Sequence, residues 1–262
     1  TLAYNTHYLG FNANMLANEM FLDSAALRSS VVSHAKTLGY EVSSPRAPIA
    51  TVNVSLSTTA STKTMPAGTA FTTTVDGTSF QFVTVSDITS NSTGSSIPFD
   101  SINIYEGSYV TTKYTADTSD VDQRFLLSDA RSDTTTLKVK VQNSASDSTT
   151  TTYTKATDIT QLSASSTVYF LQETDSGLFE IYFGDGTVSR ALSDGNIVIL
   201  QYVVTNKTAS NGATVFGSPS SIDGVTGVTT TTVTSAIGGS ESESIQSIKL
   251  NAPLDYAAQG RC

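Results

Sequence analysis

Between residues 12 and 38, Ala13, Ala17, Met20, Ser24, Leu27, Val31, His34 and Leu38 recur at alternating spacings of three and four, the period of one face of an α-helix. Asn12 or Asn14 is placed to cap its start, and Gly39, followed by Pro45 and Pro48, ends it. A break near Asp23 and Ser24 would divide the segment into two helices. The stripe mixes small and larger apolar residues, a surface suited to close packing against another helix, of the same fold or of a second chain. Leu16, Met20, Leu27, Val31, His34 and Leu38 are the candidate interface residues on this helical stripe.

From Ala50 the period changes to two. Val52, Val54 and Leu56 alternate with Thr51, Asn53 and Ser55, as a half-buried strand requires. Further strands are expected within 65–71, 75–82, 102–105, 109–114, 137–141, 168–171, 179–183 and 197–204. The pairs Asp76-Gly77, Asp185-Gly186, Asp194-Gly195 and Asp223-Gly224 suit the positive-φ positions of tight turns. Two stretches, 144–152 and 229–234, are low in complexity; the second shows no apolar face and reads as an extended linker or an edge strand. After Gly238-Gly239, Ile245, Ile248, Leu250 and Leu254 restore helical spacing. Glu241 and Glu243 stand ahead of them, where a helix dipole favours negative charge.

Composition sharpens the β reading. Charged residues make up 14% of the 262, against about 25% in an average domain. Serine and threonine fill the difference at about 30%, and β-branched threonine favours pleated surfaces. Fourteen basic against 23 acidic side chains, a net charge of -9, argue against nucleic acid and anionic membranes as partners. No apolar run approaches the roughly 20 residues of a membrane-spanning helix. The single cysteine, Cys262, allows neither an intrachain disulfide nor a cysteine zinc cluster and reads as an ordinary residue.

Catalytic sets are missing from the pattern. His7 and His34 are the only histidines, and His34 lies on the helical stripe as a packed or interface residue. Gly238-Gly239-Ser240-Glu241-Ser242 does not form a nucleophile elbow. Asp117, Asp120 and Asp122 are spaced loosely like calcium ligands, without the glycine and closing glutamate of an EF-hand. A carboxylate pair for glycoside hydrolysis is a property of the fold, and the chain offers 11 tyrosines but no tryptophan for sugar stacking. No catalytic, cofactor-binding or metal residue is therefore assigned, no cofactor is implied, and the chain is read as a non-enzyme.

Three blocks carry a family resemblance: 16–40 (LANEMFLDSAALRSSVVSHAKTLGY) running into 45–54; 65–82 with its Pro66-Ala67-Gly68 turn; and 179–192 (FEIYFGDGTVSRAL) with Gly224-Val225 and 238–262 (GGSESESIQSIKLNAPLDYAAQGRC). Together they resemble the baseplate J-like wedge proteins of contractile-tailed bacteriophages, most closely the larger wedge subunit of T-even-like myoviruses and cyanophages. The stretch 134–166 matches no motif of that family.

The resemblance implies a mainly β fold with an N-terminal helical arm, β-sandwich-like domains, one inserted in the other, and the start of a C-terminal α/β module. The expected division is a helical arm over 1–45, a first β part over 46–100, an inserted β domain over 101–205, a return part over 206–239 and a truncated C-terminal module over 240–262. In the family pattern the Pro66-Ala67-Gly68 strand lies close to the stretch before Gly238-Gly239, so residues 49–86 are expected to pair with the late segment around 215–237. Sequence is also expected before Thr1 and after Cys262.

The implied function is structural. Two copies would join within a wedge, with other wedge subunits and a sheath-initiator-like protein as partners, and wedges would close into a ring around a central hub that couples to sheath contraction. The location would be the virion tail baseplate, after assembly in the host cytoplasm. The alternative is a Ser/Thr-rich β-sandwich adhesin or tail-fibre domain binding host glycans. It accounts for the middle of the chain but leaves the helical stripe and the 238–259 block unexplained.

Overall fold

The computed structural model describes residues 2–157 and 161–259. Two helices come first, α1 (Leu2–Glu19) and α2 (Arg28–Thr37). The helix thus starts ten residues ahead of Asn12 and breaks over residues 20–27, around the Asp23–Ser24 position. The described strands are β1 (Ile49–Ser57), β2 (Thr62–Met65), β3 (Ala70–Val75), β4 (Thr78–Val83), β5 (Ile88–Asn91), β6 (Ser96–Glu106), β7 (Ser108–Thr115), β8 (Phe125–Leu126), β9 (Ser132–Gln142), β10 (Thr150–Lys155), β11 (Val168–Glu173), β12 (Phe179–Phe183), β13 (Ile197–Val204) and β14 (Val228–Ile237). Helix α3 (Ile245–Gln259) closes the described chain. The protein is mainly β, with helices at both ends.

A five-stranded antiparallel sheet is ordered β14-β1-β6-β4-β3. Alternation in β1 turns Ala50, Val52, Val54 and Leu56 inward, where they pack with Phe71, Phe82, Ile97, Phe99, Ile104 and Phe216. Phe82 and Phe216 meet edge to face at 4.9 Å, the offset that ring quadrupoles favour. Asp76 and Gly77 both take positive φ in the two-residue turn joining β3 to β4, as a type I′ hairpin requires. β2 and β5 form a separate two-stranded ribbon.

Seven strands in the order β7-β13-β9-β10-β11-β12-β8 form a second sheet that curls toward a barrel. The Tyr114 hydroxyl of β7 donates to the Leu126 carbonyl of β8 at 2.7 Å, linking its first and last strands. Phe125, Leu127, Val139, Tyr169, Phe179, Ile181, Val198, Leu200 and Tyr202 fill the interior. β10 and β11 pair in parallel, and the other neighbours pair antiparallel.

The chain passes between the sheets at Glu106-Gly107 and returns after Val204. β6 runs unbroken to Glu106 and pairs with β1, so residues 101–106 lie in the five-stranded sheet. The first crossing is tight: at Gly107, φ is +123° and a Cβ would sit 2.2 Å from the Val204 carbonyl oxygen, so only glycine fits.

At the helical end, Val31, Val32 and Ala35 of α2 pack with Ala25, Val42, and Ile248 and Ala252 of α3. No helix among the described residues is long and apolar enough to cross a membrane.

Candidate functional site

Helix α1 carries no charged side chain before Glu19, and every residue from Ala3 to Asn18 is exposed. Tyr4, Tyr8, Leu9, Phe11, Met15 and Leu16 stand in solvent, continued by Met20, Phe21 and Leu27 in the corner that follows. Tyr4 and Tyr8 stack on each other at 6.1 Å between ring centroids. An apolar helix with no burial on any side is stable only when covered, because soluble helices owe most of their stability to packing.

The corner itself is fixed. The Glu19 carboxylate accepts the main-chain N–H groups of Ala26 at 2.8 Å and Leu27 at 3.3 Å, at the start of α2. The Ala26 N–H, with help from the Ser30 hydroxyl, holds the Glu19 carboxyl below its usual value. The His34 ring nitrogen Nε2 lies 2.9 Å from the Glu19 carbonyl oxygen. Residues 20–27 therefore form a defined elbow.

The six stripe residues are divided by that elbow. Leu16, Met20 and Leu27 are exposed, at 71%, 68% and 57% of their surface. Val31 is fully buried within this chain, against α3, while His34 and Leu38 are half-buried. The break over 20–27 turns the second half of the stripe inward and leaves the first half outward.

The helical end is tied to the near-barrel through Arg28. Its guanidinium forms a two-pronged pair with the Glu173 carboxylate, Nε to Oε1 at 2.7 Å and Nη2 to Oε2 at 2.9 Å, and Nη1 donates to the Glu243 carbonyl. The Glu173 side chain is 2% exposed. The Glu243 carboxylate in turn accepts from Tyr40, Ser43 N–H, Ser247 and Asn251. Burial pushes the Glu243 carboxyl up, but these donors outweigh it and hold the group below its usual value. Burial, then the hydrogen bond to Glu243, raises the Tyr40 phenol to about 12.

Polar contacts also lock the sheets together. Asp133 of β9, almost fully buried, accepts the Ala47 N–H at 2.8 Å just ahead of β1. The Lys138 ammonium reaches the Val85 carbonyl and the Ser86 hydroxyl, and burial lowers its pKa. Neither contact was visible in the sequence, since each joins residues more than 50 positions apart.

No metal-holding set assembles among the described residues. His7 lies on exposed α1, and no group of three His, Cys, Asp or Glu side chains is arranged to hold a metal ion. Asp117 accepts the Ser119 N–H and hydroxyl, and Asp120 accepts the Asp122 N–H, so these acids cap local turns. They border an open cleft of 280 Å³ that also takes in Gln123, Arg124, Phe183 and Leu192. Cys262 lies outside the described residues.

Residues 111–227, which contain nearly all of the seven-stranded sheet, match the family model described as bacteriophage baseplate wedge protein gp6, third domain. The chain is similar to the phage baseplate wedge proteins. Along its whole length it is 27% identical to baseplate wedge protein gp6 of Enterobacteria phage T4. It spans 42% of that wedge protein's length. The matched segment includes 134–166, the stretch that offered no motif to sequence reading: in the fold it supplies most of β9 and all of β10, with Thr150, Thr151 and Thr152 opposite Gln142, Val141 and Lys140.

Proposed function

We propose that the chain is part of a structural subunit of the tail baseplate wedge in a contractile-tailed phage virion, and that its work is done by interfaces. The single observation that carries this reading is α1: an 18-residue helix on which Tyr4, Leu9, Phe11, Met15 and Leu16 are each more than half exposed. A surface of that kind is an interface in waiting. Few charges would need to be desolvated when it is covered, which suits permanent assembly.

In this reading α1 and the elbow residues Met20 and Leu27, without Val31, which this chain buries against α3, meet a second copy of the chain, and the wedge so formed contacts other wedge subunits and a sheath-initiator-like protein. Rings of wedges around a hub, coupled to sheath contraction, complete the proposal. The kinship with wedge proteins supports it, as does a fold whose buried acids serve as structural clamps.

The test is the mass of the chain in solution by sedimentation equilibrium, alone and with co-expressed wedge subunits. A dimer or a mixed complex is expected, lost when Phe11 and Leu16 are both replaced by aspartate. A monomer that ignores every wedge subunit would overturn the reading.

A further inference from the structure

The five-stranded sheet ends on one side in β14, and this edge differs from the others. The edge of β3 is covered by the chain itself, with Gly217 N–H donating to the Thr72 carbonyl at 2.7 Å and the Thr73 hydroxyl to Val215. β8 has only two residues, and it and β7 face the seam bridged by Tyr114. Near the end of β14, Ala236 is paired with the 212–213 segment. Among the described residues, the rest of β14 has no strand on its outer side.

Which groups face outward follows from the ladder. Ser57 N–H donates to the Gly227 carbonyl at 2.9 Å, and the register places Ser55 opposite Thr229 and Asn53 opposite Thr231. Antiparallel pairs alternate between bonded and non-bonded, so residues 227, 229 and 231 turn their main-chain groups to β1. Thr230 and Thr232 turn their N–H and C=O groups to the free side. The Thr230 hydroxyl is also buried without a hydrogen-bond partner.

Open edges are normally blunted by charge, proline or a bulge that twists them away. Here no charged residue or proline lies between Asp223 and Glu241, and the bulge against Thr51 and Val52 falls beyond Thr232. We infer that β14 is a strand-pairing surface whose occupant is the same strand of a second copy, joining two five-stranded sheets into one. The chain carries a net charge of -9, so two copies repel over most of their surfaces, and this uncharged edge lets them meet without opposing like charges.

The sequence is also self-complementary. A two-fold contact requires that residue i meet j while j meets i, and about Thr230 the run Thr229 to Thr231 reads the same in both directions. Centred on Thr230, the pairing sets Thr230 against its own counterpart and Thr229 against the counterpart of Thr231, giving threonine–threonine pairs on both faces. The unpartnered Thr230 hydroxyl then faces another hydroxyl.

This inference rests on the reading that two copies meet in a wedge, and its test separates the two. In a Cys262→Ser background, oxidation of Thr230→Cys should give a disulfide-linked dimer, whereas Thr72→Cys at the opposite edge should not. Thr230→Pro removes only an outward N–H, so melting and circular dichroism should be kept while self-association weakens about tenfold. No cross-link at any of positions 229–232, or self-association unchanged by Thr230→Pro, overturns the strand pairing. If dimers then still depend on Phe11 and Leu16, the helix-mediated reading stands without it. A cross-link that persists in Phe11→Asp/Leu16→Asp chains supports the strand pairing by itself.

Discussion

The Glu106 carboxylate accepts both the main-chain N–H and the side-chain amide of Asn206, at 2.8 and 2.7 Å. It also accepts the Thr205 hydroxyl at 2.7 Å, and all of this lies at zero exposure for Glu106 and Thr205. One side chain at the end of β6 therefore holds the strand that leaves the five-stranded sheet against the strand that returns to it.

Truncation of Glu106 should be costly because its carboxylate and the Thr205 hydroxyl that it accepts are both buried. Glu106→Ala is expected to lower unfolding free energy by about 1–3 kcal/mol, since the buried Thr205 hydroxyl loses its acceptor without gaining water, while the exposed Asn206 side chain can turn to solvent. Glu106→Gln keeps one acceptor oxygen and should cost less. Urea unfolding followed by circular dichroism gives both values; an Ala variant as stable as the parent would show that the clamp contributes nothing.

We propose that the seven-stranded sheet is an independently folding unit set between β6 and β14. Its interior is lined by its own residues, and closing the long loop it makes in the five-stranded sheet costs only about 0.6 kcal/mol for each doubling of length. A fragment of residues 107–206 should unfold in a single cooperative transition. A disordered fragment would show that the first sheet templates the second.

Arg28→Ala should free the helical end from the near-barrel. It leaves the nearly buried Glu173 carboxylate without its cation, and with Arg28 partly solvated the expected loss is about 1–3 kcal/mol. Hydrogen exchange should rise in α2 and α3 and stay constant in the five-stranded sheet. A uniform rise would mean that Arg28 supports the whole fold instead.

The elbow between α1 and α2 should respond to acid. Because the folded Glu19 carboxyl is held below its ordinary value of 4.5, its contribution is present above that value and is lost as pH falls through the folded pKa. The Ala26 and Leu27 amide resonances should titrate with a midpoint below 4.5, and Glu19→Gln should abolish the titration. A midpoint at or above the ordinary value would contradict the cap.

The order of helix and strand was legible because local periodicity decides it. The threes and fours that end at Leu38, the twos of Val52, Val54 and Leu56, and the Asp76-Gly77 turn each report on neighbours within a few residues. The same local record offered the 229–234 stretch as linker or edge strand, and the fold makes it an edge. β10 was missed because a run of consecutive threonines, Thr149 to Thr152, looks like low-complexity loop.

What only the tertiary structure decided is which elements meet. Val31 and Leu16 belong to one stripe on paper, yet the elbow held by Glu19 buries the first against Ala252 and leaves the second in solvent. The pairing of β1 with β14 was suggested by family pattern alone, and the Glu106–Asn206 and Arg28–Glu173 contacts had no signal at all. A residue's own sequence neighbourhood fixes its backbone preference and its inward or outward face. Its partner is chosen by the closure of long loops around a shared core, and that choice is made by the whole chain at once.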